Sequence, residues 1–162
     1  MLDKIRASFA QAGRADHAQC GALDGATMSN TGEKPVVIEL GGEMVEQRTI
    51  VRVGGAPCEL QARSFAAFLR LALEHQRDVD AWLTHYDLSI AKAPEVPKRI
   101  RDALNPAMPD QLDVLETRYG GRIRLLRSAT VKIDRAALAG HPDPRIQKLL
   151  ATRGKSAPPV TR

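Results

Sequence analysis

Aromatic residues are scarce in this chain. Phe, Trp and Tyr make up 4% of its 162 residues, so its core must be mainly aliphatic. Cysteine is scarcer still. Cys20 and Cys58 form no Cys-x-x-Cys pair and lie in differently built segments. That speaks against a disulfide framework and leaves reduced thiols as the default. No apolar run approaches the roughly 18 residues needed to span a membrane. The opening, MLDKIRASFAQAG, has charges among its apolar positions and lacks a signal-peptide core. These two absences favour the cytoplasm. Catalytic motifs are missing too. His17, His75, His85 and His141 fall in four separate segments with no metal-ligand spacing. There is no phosphate loop, no G-x-S-x-G and no HExxH. Cys58, on a short apolar stretch, reads as a small core residue rather than a nucleophile. The expectation is a protein that is not an enzyme, with no cofactor and no metal.

What is there is positive charge, unevenly placed. The formal net charge is +5. Residues 1–34 balance four basic against four acidic side chains, and residues 35–94 carry six against eight. Residues 95–162 carry fourteen basic against seven acidic. A basic half suits a polyanionic partner, because neutralising phosphates releases condensed counterions. An Arg-rich, merely solubilising surface is the plainer alternative.

The chain divides into three parts. Leu2, Ile5 and Phe9 allow a short amphipathic helix over residues 1–13. Residues 13–34, rich in Gly, Ala, Ser, Thr and Asn, read as a linker. The expected first part is therefore a flexible arm over 1–34, with a protein partner as one option for its helix. Order begins at Pro35, and a domain over 35–128 is expected. Val36–Leu40 reads as a strand, Gly41-Gly42 as a hairpin turn, and Met44–Val53 as a second strand. In that strand Thr49, Val51 and Val53 share one face. Gly54-Gly55 turns the chain into a third strand at Cys58–Leu60. Phe65, Phe68, Leu69, Ala72 and Leu73 then recur at helical spacing from Ala62 to His75. Asp78 or Asp80 caps a second helix through Trp82, Leu83 and Tyr86. Pro97 suits the first turn of a third helix, which Pro106 and Pro109 end. Leu112, Val114, Thr117, Ile123 and Leu125 mark a closing hairpin. The third part, 129–162, is an extension expected to be partly disordered. In it, 130–140 adds a strand or a helical turn and 144–151 a short helix. The three helices can bury their apolar faces only by packing together under the two small sheets. The fold class expected is α+β.

The most informative stretch is Glu95–Arg127. On a helical wheel Val96, Ile100, Ala103 and Leu104 share one sector and face the core. Lys98, Arg101, Asp102 and Asn105 lie opposite, with Arg99 at the flank. A major groove admits one such helix, where Lys98 and Arg101 meet bases or phosphates and Asn105 suits adenine. Asp102 fits worst, since phosphates repel a carboxylate. An ordinary solvated face, with Lys98 and Asp102 paired at i,i+4, is the alternative. In the hairpin Ile123 and Leu125 point inward by alternation, so Arg122 and Arg124 point outward, and Arg118 precedes the turn. Gly120-Gly121 supplies the positive φ that the turn needs. Such a tip can enter a minor groove or clamp the backbone; otherwise it protects a sheet edge.

This order of elements resembles the winged-helix output domains of OmpR-like response regulators over roughly Pro35–Arg127. Cys58-Glu59-Leu60 running into Phe65-Ala66-Ala67-Phe68-Leu69 is similar to that family's strand and "LT..EF.LL" helix. Val96–Leu104 is similar to its recognition helix. Leu115-Glu116-Thr117-Arg118-Tyr119-Gly120-Gly121-Arg122-Ile123-Arg124-Leu125 is similar to its "I.T..G.GYRL" wing. The family's helix opens with a Thr and Glu capping box, and Gln61 and Ser64 occupy those places here. The tyrosine precedes the glycines, and the 34 residues given ahead of Pro35 are too few for that family's receiver domain, so phosphorelay control within these residues is not expected. The resemblance implies a winged helix-turn-helix: an antiparallel three-stranded sheet, three helices and a hairpin wing. It implies transcription regulation through double-stranded DNA, with Lys98, Arg99, Arg101, Asn105, Arg118, Arg122 and Arg124 as contacts. A homodimer is compatible with such a reader, although no dimer strip stands out. A protein-interaction module on the same scaffold, without DNA, is the alternative function.

Overall fold

Pro35 opens a run of three antiparallel strands, β1 (Val37–Val45), β2 (Arg48–Val53) and β3 (Ala56–Gln61). The computed structural model describes residues 35–152. The readings made for the opening helix, the arm and the last ten residues lie outside that range. Gly54 and Gly55, both at positive φ, make the β2–β3 turn as expected.

The first hairpin turn lies elsewhere than expected. Gly41-Gly42 is a bulge within β1, where the register to β2 shifts between Leu40 and Met44. The chain turns at Glu46-Gln47, with φ of 47° and 67°. Gly42 has φ 72°, and a Cβ there would sit 3.2 Å from the Ala137 carbonyl oxygen and from Leu138 Cδ2. Glycine is needed there for a bend and a close helix approach rather than for a turn.

Helix α1 (Ala62–Arg77) follows β3 directly. Gln61 makes no side-chain cap; its Oε1 accepts from Arg99 Nη1 at 3.2 Å instead. Phe65, Phe68, Leu69 and Leu73 are fully buried against Ile38, Leu40, Val51 and Leu60 of the sheet.

No helix forms between Asp78 and Glu95. Those residues make successive turns. Local side-chain bonds win over the helical ladder: Asp78 Oδ1 accepts from the Asp80 N–H at 2.9 Å, and Asp87 Oδ2 accepts from the Thr84 N–H at 2.8 Å. Leu83 is also drawn away. Its N–H and C=O bond Ile123 at 2.8 and 2.7 Å, as a strand edge would.

Helix α2 (Val96–Leu104) ends in short 3₁₀ turns at Asn105–Ala107 and Pro109–Gln111. The hairpin is β4 (Leu115–Arg118) and β5 (Arg122–Leu125). The next strand, β6 (Thr130–Ile133), pairs with β1 in parallel, giving a mixed sheet in the order β3-β2-β1-β6. Helices α3 (Arg135–Ala139) and α4 (Pro144–Thr152) follow. Among the described residues the architecture is α+β: four helices, a mixed four-stranded sheet and a two-stranded sheet.

The segment after residue 128 therefore belongs to the domain rather than extending it. Leu138 and Ile146 are fully buried in the common core. His141 ties the segment in. Its ring stacks on Phe65 at 5.6 Å between centroids. Its Nδ1 accepts the Asp143 N–H at 3.1 Å, so Nε2 carries the proton and donates to Thr49 Oγ1 at 2.9 Å. Both partners are buried, and none of these polar atoms lacks a bond. His75 is also buried and donates from Nε2 to the Ala129 carbonyl at 2.8 Å. Among the described residues no helix is long and apolar enough to cross a membrane.

Candidate nucleic-acid interface

Helix α2 presents the expected inner face. Val96, Ile100 and Leu104 are buried, and Pro97 takes the first turn. The outer face differs from the wheel. Lys98, Arg99 and Asp102 are exposed, while Arg101 and Asn105 are half-buried. The reason is the strand entering the hairpin, which lies along that side.

Arg101 Nε donates to both Asp113 carboxylate oxygens, at 3.1 and 2.9 Å. Its Nη2 donates to the Leu115 carbonyl at 3.3 Å. Asn105 Oδ1 accepts the Val114 N–H at 2.9 Å, and its Nδ2 donates to Asp113 at 3.3 Å. Both side chains thus fasten helix to hairpin, and neither is free to reach a base edge. Lys98 and Asp102, the i,i+4 pair considered above, form no ion pair within 4.0 Å. Arg99 is held loosely, by Gln61 at 3.2 Å and Glu95 at 3.9 Å.

The register of the hairpin sets Arg118 opposite Arg122 and Glu116 opposite Arg124. Cross-strand partners share a face, so these four side chains project together while Leu115, Ile123 and Leu125 are buried. That projecting face is not bare. Trp82 covers it, with the Arg124 guanidinium 4.4 Å and the Arg118 guanidinium 5.3 Å from its ring centroid. Arg124 also bonds Glu116 through Nε and pairs with Asp80 at 3.2 Å. Its side chain is only 17% exposed, so Arg124 is a fixed part of the hairpin rather than an outward contact. Asp80 holds Arg127 as well, at 3.2 Å.

The tip is Tyr119-Gly120-Gly121, with both glycines at positive φ. A Cβ on Gly121 would lie 3.2 Å from His85 Nδ1, so the 82–85 segment packs directly beneath it. Tyr119 is fully exposed and Tyr86 nearly so.

Of the seven candidate contacts, Lys98, Arg118 and Arg122 are exposed with no carboxylate within 4.0 Å among the described residues. Arg99 is exposed with weak partners, and Arg101, Asn105 and Arg124 are spent internally. Trp82, Asp80 and His85 join the site without having been expected there. The signal for them was available: the one tryptophan of the chain lies two residues after an aspartate and three before a histidine. Reading that segment as a helix hid its relation to the hairpin. No family model, curated protein or solved structure matches this chain.

Proposed function

We propose that this chain binds double-stranded DNA in the manner of a winged helix and regulates transcription. Helix α2 lies in the major groove, and the Arg118–Arg122 tip clamps the adjacent backbone or minor groove. The observation that carries this reading is the Arg101–Asp113 tie. It ties helix to hairpin, and the exposed cations of the two with no carboxylate within 4.0 Å among the described residues are Lys98, Arg118 and Arg122. Such a unit supplies backbone contacts more readily than base contacts, since Asn105 is occupied. The reading is of a DNA binder with strong salt dependence and modest sequence preference.

A low-salt mobility shift on random duplex tests it. A shift at micromolar protein, weakened by Arg122→Ala and by Lys98→Ala, is expected. Trp82 adds a second readout, because phosphate drawn to Arg118 alters the environment of the only tryptophan. The exposed Tyr86 and Tyr119 favour a second reading, a protein-interaction module on the same scaffold. Absence of any shift at micromolar protein favours that module.

A further inference from the structure

Helix α1, the turn ending at Ile90 and helix α4 enclose a cleft of about 330 Å³ that shares no residue with the helix–hairpin face. Its walls are cationic. Arg63 and Arg70 come from α1, and Arg145 and Lys148 from α4. Arg70 has one long pairing, to Glu74 at 3.8 Å. The other three have no carboxylate within 4.0 Å among the described residues. Four cations against the single carboxylate of Asp87 leave the cleft with an excess of positive charge that suits an anion. The floor is apolar, formed by Leu88, Ile90 and Leu149.

One acid lines the cleft. Asp87 uses Oδ2 for both of its bonds, to the Thr84 N–H and to Thr84 Oγ1, each at 2.8 Å. Its Oδ1 accepts no hydrogen bond from the described residues, and the side chain is exposed, with Arg70 as its cationic neighbour. These bonds hold its carboxyl below the usual range, so it stays an acceptor.

We propose that this cleft binds a small phosphorylated molecule with an apolar ring and free hydroxyls, the chemistry of a nucleoside monophosphate. The phosphate meets the α1 and α4 cations, the ring lies on Ile90 and Leu149, and a hydroxyl donates to Asp87. A ligand of that size fits a cleft of this volume, whereas a duplex is too wide to enter it. Because α4 carries half of the cations and Ile146 in the core, the ligand also fastens α4 to α1.

Calorimetric titration of the full chain with AMP, inorganic phosphate and adenosine separately tests this. AMP is expected to bind more tightly than either fragment. The R145A/K148A double variant changes two exposed positions. It is expected to keep its melting temperature without ligand and to lose AMP affinity by at least about tenfold, since two charge-assisted bonds are gone. The proposal is overturned if AMP fails to bind at millimolar concentration, if phosphate binds as tightly as AMP, or if the double variant keeps its AMP affinity. A double variant that loses duplex binding while AMP affinity stays unchanged also overturns it, and makes the cleft a DNA contact. Failure of duplex binding with AMP binding intact leaves this site standing and removes only the interface on α2 and the hairpin.

Discussion

Arg101 is the side chain on which helix and hairpin meet. Three of its contacts run to Asp113 and Leu115, all C-terminal to the helix that carries it. Arg101→Ala removes a charge-assisted bond at a site 27% exposed on the Arg side and 48% on the Asp side. Partly exposed pairs of this kind contribute about 1 kcal/mol. The expected outcome is a stability loss of that order in urea unfolding, matched by Asp113→Ala, with coupling between the two in a double-mutant cycle. Loss of DNA binding in Arg101→Ala without loss of stability would instead mark it as a direct contact. The inner face of α2 was legible because Val96, Ile100 and Leu104 repeat at helical spacing. The engagement of Arg101 was not, because a wheel shows which side faces the core but not which later strand covers the other side. Arg124 teaches the same lesson: alternation aimed it outward correctly, and a tryptophan 42 residues earlier in the chain covers it.

The turn at Thr84–Asp87 governs how the 78–95 connection is built. The apolar spacing of Trp82, Leu83 and Tyr86 permits a helix. Thr84, Asp87 and Asp78 offer the backbone shorter-range partners, and Ile123 offers Leu83 a strand edge. Spacing cannot register that competition, since one competitor lies 40 residues downstream. The Gly41-Gly42 bulge was hidden for a similar reason, because what demands glycine there is α3, far along the chain. The Asp87 bonds carry a pH signature. Hydrogen bonds from the Thr84 backbone N–H first, then from its hydroxyl, hold the Asp87 carboxyl below its ordinary value. A carboxyl with a lower value in the folded state contributes stability that is complete above its unfolded range. That contribution fades as pH falls through the folded value. Asp87→Asn is therefore expected to lower the melting temperature near neutral pH and to narrow its gap to the parent chain as pH falls through and below the ordinary carboxylate range. A constant gap across that range would deny the turn this role.

At the scale of the whole molecule, the larger sheet is completed by the last strand in chain order, β6. β6 pairs in parallel with β1, so a strand from residues 130–133 lies beside the first strand of the domain. The basic second half suggested a partner, and the three-strand meander was readable from alternation and the Gly54-Gly55 turn, although its first turn lies at Glu46-Gln47 rather than at Gly41-Gly42. That β6, α3 and α4 close the domain was not readable, because parallel pairing between distant segments leaves no local period. A chain ending at Ser128 loses Leu138 and Ile146, both fully buried, together with the β1–β6 ladder and the His141–Thr49 bond. Each such side chain contributes about 1.5–3 kcal/mol by burial, against a total stability of roughly 5–15 kcal/mol for a domain. The truncated chain is expected to show no cooperative thermal transition by circular dichroism. A sharp transition would return the boundary to residue 128.

The central claim, that α2 and the hairpin form one DNA-binding unit, is tested most directly by duplex affinity as a function of salt. Fluorescence anisotropy of a labelled random duplex is titrated with the full chain and with the Arg122→Ala chain. The account predicts that affinity falls steeply with salt in the parent. It predicts that Arg122→Ala weakens binding and reduces the magnitude of the log–log salt slope by about one, the signature of one lost phosphate contact. Duplex affinity that is independent of salt, or a slope and affinity unchanged by Arg122→Ala, would contradict it.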